Sequence, residues 1–261
     1  MLKTISRAAI VGTAQSWIKT PWNDPSLHIC GINDGYMSRD AAGRGPARAD
    51  AWYELHPLDQ FFFRPRAERV VRADQVPTGH YVRPEGHLDW LQTQAKTIEV
   101  WLQKEPPEGW PVHARRLPLE QLEETYGQYW ASGPSYEVMH LMDRGCTELH
   151  IYGIHLATQQ EYIDQRPNFE FLLGRFLGPK CKERKADGLR YFEGEHVLLV
   201  LPQESPILQH GWKYGYESRP QQKANPALEQ ARAEIKQVRA DKAALVEALV
   251  TWPRFKSKAE P

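Results

Sequence analysis

The stretch 132–154 constrains this chain more than any other. Ser132-Gly133-Pro134-Ser135 is a helix-starting sequence, read with Ser135 as the cap and with Tyr136, Met139, His140 and Met142 inside the helix. Gly145 is placed to stop that helix through a left-handed residue, just before an apolar run at 148–154 that reads as a strand. Helix, glycine and buried strand in this order form one α/β unit, and such units stack into parallel sheets.

The flanking sequence repeats the alternation. Residues 7–11 form an apolar run that breaks at Gly12-Thr13-Ala14-Gln15-Ser16, the pattern of a buried strand turning through glycine toward a helix. Runs at 27–33, 51–55 and 97–102 read as further strands, the first ending in Asn33-Asp34-Gly35 and the second stopped by His56-Pro57. Residues 117–130 carry Leu119, Leu122 and Tyr126 on one helical face, a further helix is expected at 169–177, and 196–201 reads as a late strand. The expected fold is α/β, a Rossmann-like and mostly parallel sheet with helices on both faces. It occupies 1–201, with an insertion at about 57–96.

Past Pro202 the composition changes. A polar segment rich in Pro, Gln and Gly at 202–226 reads as a linker. Residues 227–252 follow as an extended amphipathic helix. Leu228, Ala231, Ile235, Val238, Leu245 and Leu249 follow three- and four-residue spacing with Lys242 in the remaining seam position, the pattern of a short coiled coil or of a helix docked on its own domain. Self-association through 227–252 is therefore one expectation.

The charge balance narrows the partners. Thirty-three basic residues equal thirty-three acidic ones, so no global positive field exists to hold nucleic acid by counterion release. Arg64, Arg66, Arg69, Arg72 and Arg83 cluster within the insertion, but Glu68 and Asp74 interrupt them. No window approaches the roughly 18 apolar residues that cross a bilayer, so no membrane span is expected. Cys30, Cys146 and Cys181 are odd in number and far apart, fitting neither a disulfide scaffold nor zinc-site spacing. The reading is a cytoplasmic protein with no metal and no integral cofactor.

In open α/β sheets, ligands lie outside the carboxyl ends of strands. The candidate ligand-binding residues are accordingly those after each strand: Gly12, Thr13, Gln15 and Ser16; Asn33 and Asp34; and Glu54, with His56 beside it. Ser132, Gly133 and Ser135 form a second anion cradle at a helix start. The first turn is neither Gly-x-Gly-x-x-Gly nor a lysine-bearing P-loop, which argues against an ordinary dehydrogenase or a Walker-type ATPase. His155, at a strand end, is a candidate general base.

Ser132-Gly133 and Tyr136, followed by Gly145-Cys-Thr-Glu-Leu-His-Ile-Tyr-Gly-Ile154-His155, resemble a segment of the family 42 bacterial sialyltransferases, written Ser-Gly-x-x-x-Met, about eight residues, Gly-x-x-Glu-Ile-x-Leu-x-Gly-Ile-Asp. A similar segment occurs in flagellin-modifying glycosyltransferases and in many bacteriophage proteins with Rossmann-like sheets. Gly12-Thr-Ala-Gln-Ser16 resembles that group's Gly-x-Gly-Pro-Ser turn, and Cys30-Gly-Ile-Asn33 resembles its Arg-x-Asn, a position that contacts the cytidine nucleotide. Glu161-Tyr162-Ile-Asp-Gln165-Arg166-Pro-Asn168-Phe-Glu170 is similar to the Glu-Tyr-x-x-Gln-Arg-Pro-Asn-x-Glu of the phage relatives. The resemblance covers roughly 7–200, and its specific part is 132–155. The chain departs from the sialyltransferases in three places: 161–170 has no histidine, His155 stands where they have Asp, and Glu54 replaces a third-strand Asn.

The resemblance implies a nucleotide or nucleotide-sugar ligand. Tyr162 and Asn168 would help to bind it, Arg166 would clamp a diphosphate and Gln165 would address the sugar, with His155, Gln165 and Arg166 as the catalytic set. The expected function is a glycosyltransferase-like protein modifying a glycan or a nucleic-acid base, in the host cytoplasm if phage-encoded. The alternative is a non-catalytic phage nucleotide-binding or assembly protein, or a virion component.

Overall fold

The computed structural model describes residues 4–58, 62–64, 82–84, 86–156 and 162–209. The chain divides after Gln209 into 1–209 and 210–261, so the helix expected at 227–252 lies outside the described residues.

Strands β1 (Arg7–Val11), β2 (His28–Ile32) and β3 (Ala51–Glu54) come first, followed by the short pair β4 (Phe62–Arg64) and β5 (Val82–Pro84). Next are helix α1 (His87–Gln94), strands β6 (Glu99–Leu102) and β7 (Ala114–Arg116), and helices α2 (Leu119–Tyr126) and α3 (Gly133–Asp143). Strand β8 (Glu148–Tyr152), helix α4 (Tyr162–Leu177), and strands β9 (Lys182–Ala186), β10 (Leu189–Glu193) and β11 (Leu198–Pro202) complete the described fold.

Nine strands form one sheet in the order β7-β6-β3-β2-β1-β8-β11-β10-β9, while β4 and β5 pair separately. Every pairing from β7 to β11 is parallel; β10 joins β11 and β9 antiparallel. This is an α/β architecture with a mostly parallel, mixed sheet. The chain builds outward from β1 in one direction through β2, β3, β6 and β7, then in the other through β8 and β11. The order therefore reverses between β1 and β8, and it is at such a reversal that ligand crevices form in open α/β sheets.

The central strand shows why its sequence is an unbroken apolar run. Ala8 and Ile10 point into one core with Cys30, Tyr53, Leu149 and the inward residues of α2, α3 and α4. Ala9 and Val11 point into the other, with Trp17, Leu27, Ile29 and Tyr152. A strand buried on both faces has no polar side to alternate with. Further along that second face, Trp52, Val100 and Leu102 pack under Leu91 of α1 and Ala95, its C-terminal cap.

Helix α3 forms as its sequence dictates, with one correction. The cap is Ser132, whose side chain accepts from the Ser135 N–H at 3.3 Å, while Ser135 itself lies inside the helix. Ser132 is the last residue in extended backbone, which is where a cap must sit. Gly145, at φ +86°, ends the helix: Cys146 N–H donates to the Leu141 carbonyl and Gly145 N–H to that of Met142, the paired bonds of a Schellman stop.

Elsewhere the structure differs from the sequence reading. Helix α1 lies within the segment read as insertion 57–96, yet it covers one face of the sheet. Helix α4 starts at Tyr162, several residues before the expected 169, and Pro167 lies within it. There the proline removes one helical N–H without ending the helix. Strands β9 and β10 form a hairpin closed by Asp187-Gly188, both at positive φ, the conformation a tight two-residue turn requires. The first four residues of β9 are exposed and charged, so no apolar alternation announced it.

The start of the expected linker is part of this fold. Ile207 is fully buried, and Arg190 donates to the carbonyls of Ser205, Ile207 and Leu208 while pairing with Glu183 at 2.9 Å. Among the described residues, no helix is long and apolar enough to cross a membrane, and no group of three or more His, Cys, Asp or Glu is placed to hold a metal. Residues 65–81 of the arginine-rich insertion lie outside the described residues.

Candidate functional site

The carboxyl edge of the sheet carries the turns after β1, β2, β3 and β8. Between β1 and β8 the two turns are stitched together. Gly12 N–H donates to the Tyr152 carbonyl and Ala14 N–H to that of Gly153, each at 2.9 Å, and Gly153 N–H donates to Ser16 Oγ at 2.9 Å. A Cβ on Gly12 would meet the Gly153 carbonyl oxygen at 2.5 Å, and one on Gly153 would meet that of Gly12 at the same distance. These glycines are thus required by the approach of one turn to the other, and the N–H groups of Gly12, Ala14 and Gly153 are already engaged. Thr13 and Gln15, between them, are exposed.

Ser16 is buried, and its Oγ lies 2.9 Å from His155 Nε2. Oγ accepts the Gly153 N–H and, with a second lone pair as well as its own hydrogen, bonds His155 Nε2 in the direction that the imidazole tautomer sets. Burial, opposed by the charge of Glu204, lowers the His155 pKa and favours the neutral imidazole. Glu204 is in turn paired with Lys19 at 2.7 Å. The arrangement makes Ser16 a staple between loops and holds the His155 ring just beyond the end of β8.

Two strands away a second group gathers at the end of β3. Glu54 is fully buried. Its Oε1 accepts from the backbone N–H of His56 at 3.1 Å and from His56 Nδ1 at 2.9 Å, and its Oε2 lies 2.7 Å from His87 Nε2. His87, the first residue of α1, is also fully buried, and its Nδ1 is 3.2 Å from the Tyr36 hydroxyl. Tyr36 stacks on Trp90 with centroids 3.9 Å apart, which locks its ring. Burial, with added repulsion from Asp34 and Glu54, pushes the Tyr36 hydroxyl up to about 12, so it stays protonated and donates. Asn33, at φ +52° and half-buried, bridges the strand ends through its backbone: its N–H donates to the Tyr53 carbonyl and its carbonyl accepts from Trp52 Nε1, both at 2.9 Å. Asp34 follows it, its carbonyl accepting the Met37 N–H at 2.9 Å.

The third predicted group is internally satisfied. Ser132 and Ser135 hydroxyls lie 2.8 Å apart, Ser135 donates to Asn168 Oδ1 at 3.3 Å, and the Asn168 amide donates to the Tyr129 carbonyl. Ser132, Ser135 and Asn168 are all buried. Gly133 abuts Ile32 at the end of β2, where a Cβ would come within 3.0 Å of the Ile32 side chain. Arg166 pairs with Glu170 at 2.9 Å and donates to the Pro206 carbonyl, holding the segment after β11 rather than presenting a fork to solvent. Gln165 is half-buried on α4. Tyr162 opens that helix, but its side chain lies outside the described residues, as does Glu161.

A small pocket lies near the ends of β1 and β2, lined by Val11, Trp22, Gly31, Gly35, Arg48 and Trp52 among others. Its cavity volume of about 10 Å3 is of the order of one water and far below that of a site for a drug-sized ligand. Arg48 there is held by Asp50 at 2.5 Å and by the carbonyls of Trp22, Asp24 and Leu27.

Sequence reasoning found Glu54 but not His87 or Tyr36, which belong to segments without a strand-end signature. Only the Glu-x-His spacing of Glu54 and His56 hinted at a carboxylate–imidazole pair. No protein-family model, curated protein or solved structure matches the chain.

Proposed function

We propose that the protein binds a nucleotide or nucleotide sugar on a Rossmann-like, glycosyltransferase-like scaffold, with the ligand lying along the carboxyl edge of the sheet. One observation carries this reading: neighbouring strands β3, β2, β1 and β8 each end in polar residues, Glu54, Asn33 with Asp34, Thr13 with Gln15, and His155. Three interstrand steps span about 14 Å, enough for an extended phosphorylated metabolite. His155, held through Nε2 by Ser16, would turn Nδ1 toward a polar group of the ligand. No integral cofactor or metal is part of the proposal.

A panel of CMP, UDP, GDP, ADP and their sugar conjugates tests it. Ligand at 100 times its Kd stabilises the folded state by about 2.7 kcal/mol, roughly 5–10 °C in melting temperature for a chain of this size. No shift with any member overturns the proposal.

A second reading, capture without turnover by a phage-type nucleotide-binding or assembly protein, is favoured by the engagement of Arg166 and Asn168 within the fold. It predicts retained nucleotide without sugar release. If assembly runs through 227–252, deleting 227–261 lowers the native mass to that of a monomer.

A further inference from the structure

We propose that Asp34, at the end of β2, makes the carboxyl-edge site selective for ribonucleotides, its carboxylate accepting the two neighbouring hydroxyls of the ribose. This rests on the nucleotide reading above and adds the sugar that the site selects and the direction in which the ligand lies.

The fold itself makes no use of the Asp34 carboxylate. Asp34 is the N-terminal cap of the short helical turn Gly35–Met37, a position where an aspartate side chain ordinarily accepts a backbone N–H, yet it makes no such bond. The turn is closed instead by its backbone carbonyl, which accepts the Met37 N–H at 2.9 Å. Among the described residues no group donates to the carboxylate and no cation pairs with it, while its charge reaches the Tyr36 hydroxyl. Asp34 is only half-buried. It therefore offers a ligand two acceptor oxygens side by side.

The turn that carries it is fixed beforehand. The Trp52 indole lies over Gly31, where a Cβ would collide with the ring, and from there Nε1 donates to the Asn33 carbonyl at 2.9 Å. Asn33 N–H donates to the Tyr53 carbonyl at 2.9 Å, and the Tyr36 ring is stacked on Trp90 of α1. Asp34 is thus flanked by a residue tied to β3 and by a turn held through α1. A group preset in this way binds without first being ordered, which sharpens selectivity.

Chemistry then selects the ribose. Two adjacent hydroxyls can each donate to one oxygen of a carboxylate, as charge-assisted bonds. Phosphate cannot take that place, because the two anions repel. It lies instead toward β1 and β8, where the carboxylate that acts on His155, Glu204, is paired with Lys19 at 2.7 Å. The strands that carry Asp34 and His155 are two interstrand steps apart, about 10 Å. That span seats the ribose at Asp34 and the glycosyl end of a nucleotide sugar beside the His155 imidazole.

The test is calorimetry with UDP, GDP, ADP and CMP, with their sugar conjugates, and with the dideoxy analogue, lacking both ribose hydroxyls, of whichever nucleotide binds. The wild type is expected to hold the ribonucleotide about tenfold or more tighter than the analogue. Asp34→Ala should abolish that preference, weakening the ribonucleotide about tenfold or more while moving the analogue about threefold at most. Because the carboxylate makes no cap bond, the variant should melt with the wild type, and the wild-type comparison of the two ligands needs no variant at all. Equal affinity of the wild type for both ligands overturns the ribose assignment while the binding reading stands. Asp34→Ala weakening both ligands alike overturns it too, since that is what a structural role would do. An effect of Asp34→Ala confined to the sugar conjugates puts the transferred sugar there and likewise overturns it. Absence of binding by the wild-type chain overturns both.

Discussion

Gly12 and Gly153 face each other so closely that a Cβ on either would sit 2.5 Å from the other's carbonyl oxygen. Gly153 also adopts φ +66°. Gly12→Ala and Gly153→Ala are therefore expected to force the turns after β1 and β8 apart, at about 2 kcal/mol or more each. Thermal melts check this. Because the two residues share one contact, the double variant should cost less than the sum of the singles; strict additivity would contradict it.

Glu137 supplies a pH-dependent prediction. It is fully buried on α3, neither carboxyl oxygen has a hydrogen-bond partner among the described residues, and burial pushes its pKa well above the ordinary 4.5. Its contribution to stability is complete below the unfolded value and is lost as pH rises through the folded one. Glu137→Met should thus gain on the wild type as pH rises from 4.5 to 8, ending more stable by about 1–3 kcal/mol. A stability gap independent of pH would refute it.

His140 acts in the opposite sense. Burial first, then the Arg144 charge, lowers its pKa to about 3, while its Nδ1 is 2.8 Å from the Tyr53 hydroxyl. The unfolded chain binds a proton near 6.5 that the folded one refuses, so this contribution is intact above 6.5 and is lost as pH falls toward 3. Urea titrations should show an acid limb across that window. Replacing His140 with Gln should make that limb shallower, leaving the part due to His150 and His155, whose pKa values burial also lowers; an unchanged limb would contradict the assignment.

Asn168 separates a structural role from a ligand contact. Its carboxamide serves Ser135, the Ala131 N–H and the Tyr129 carbonyl. Asn168→Ala should destabilise the protein by about 1–3 kcal/mol through unsatisfied buried groups. A variant that melts like the wild type yet loses nucleotide binding would return this residue to the ligand site.

Arg190 makes a further case. Its guanidinium is buried and serves three carbonyls between Ser205 and Leu208. Arg190→Leu should cost about 3 kcal/mol by leaving these acceptors unpaired. It should also raise amide exchange at 205–208, and unchanged exchange there would contradict the pinning.

The parallel core was legible wherever burial on both faces left an apolar run, unbroken in β1 from Ala8 to Val11 and interrupted in β8 by His150 alone after Glu148, and wherever glycine had to adopt positive φ, as at Gly145. Strand β9 was not, because Lys182, Glu183, Arg184 and Lys185 have no apolar pattern and depend on the Asp187-Gly188 turn to be folded back. At the candidate site, Glu54 and His155 could be read as strand-end residues. The partnership of Glu54 with His87 could not, since they lie 33 positions apart in the chain. Nor does sequence reveal that Ser132, Ser135 and Asn168 satisfy one another: hydroxyls and amides of the kind that bind ligands are the same groups that close a buried network.

The charged outer strand also bears on association. Four consecutive residues of β9 are exposed and ionic. Another sheet extending the ladder there would need to strip water from several of those groups, a penalty that discourages edge-to-edge polymerisation. The β9 rim is thereby guarded against strand addition by a second copy of the sheet.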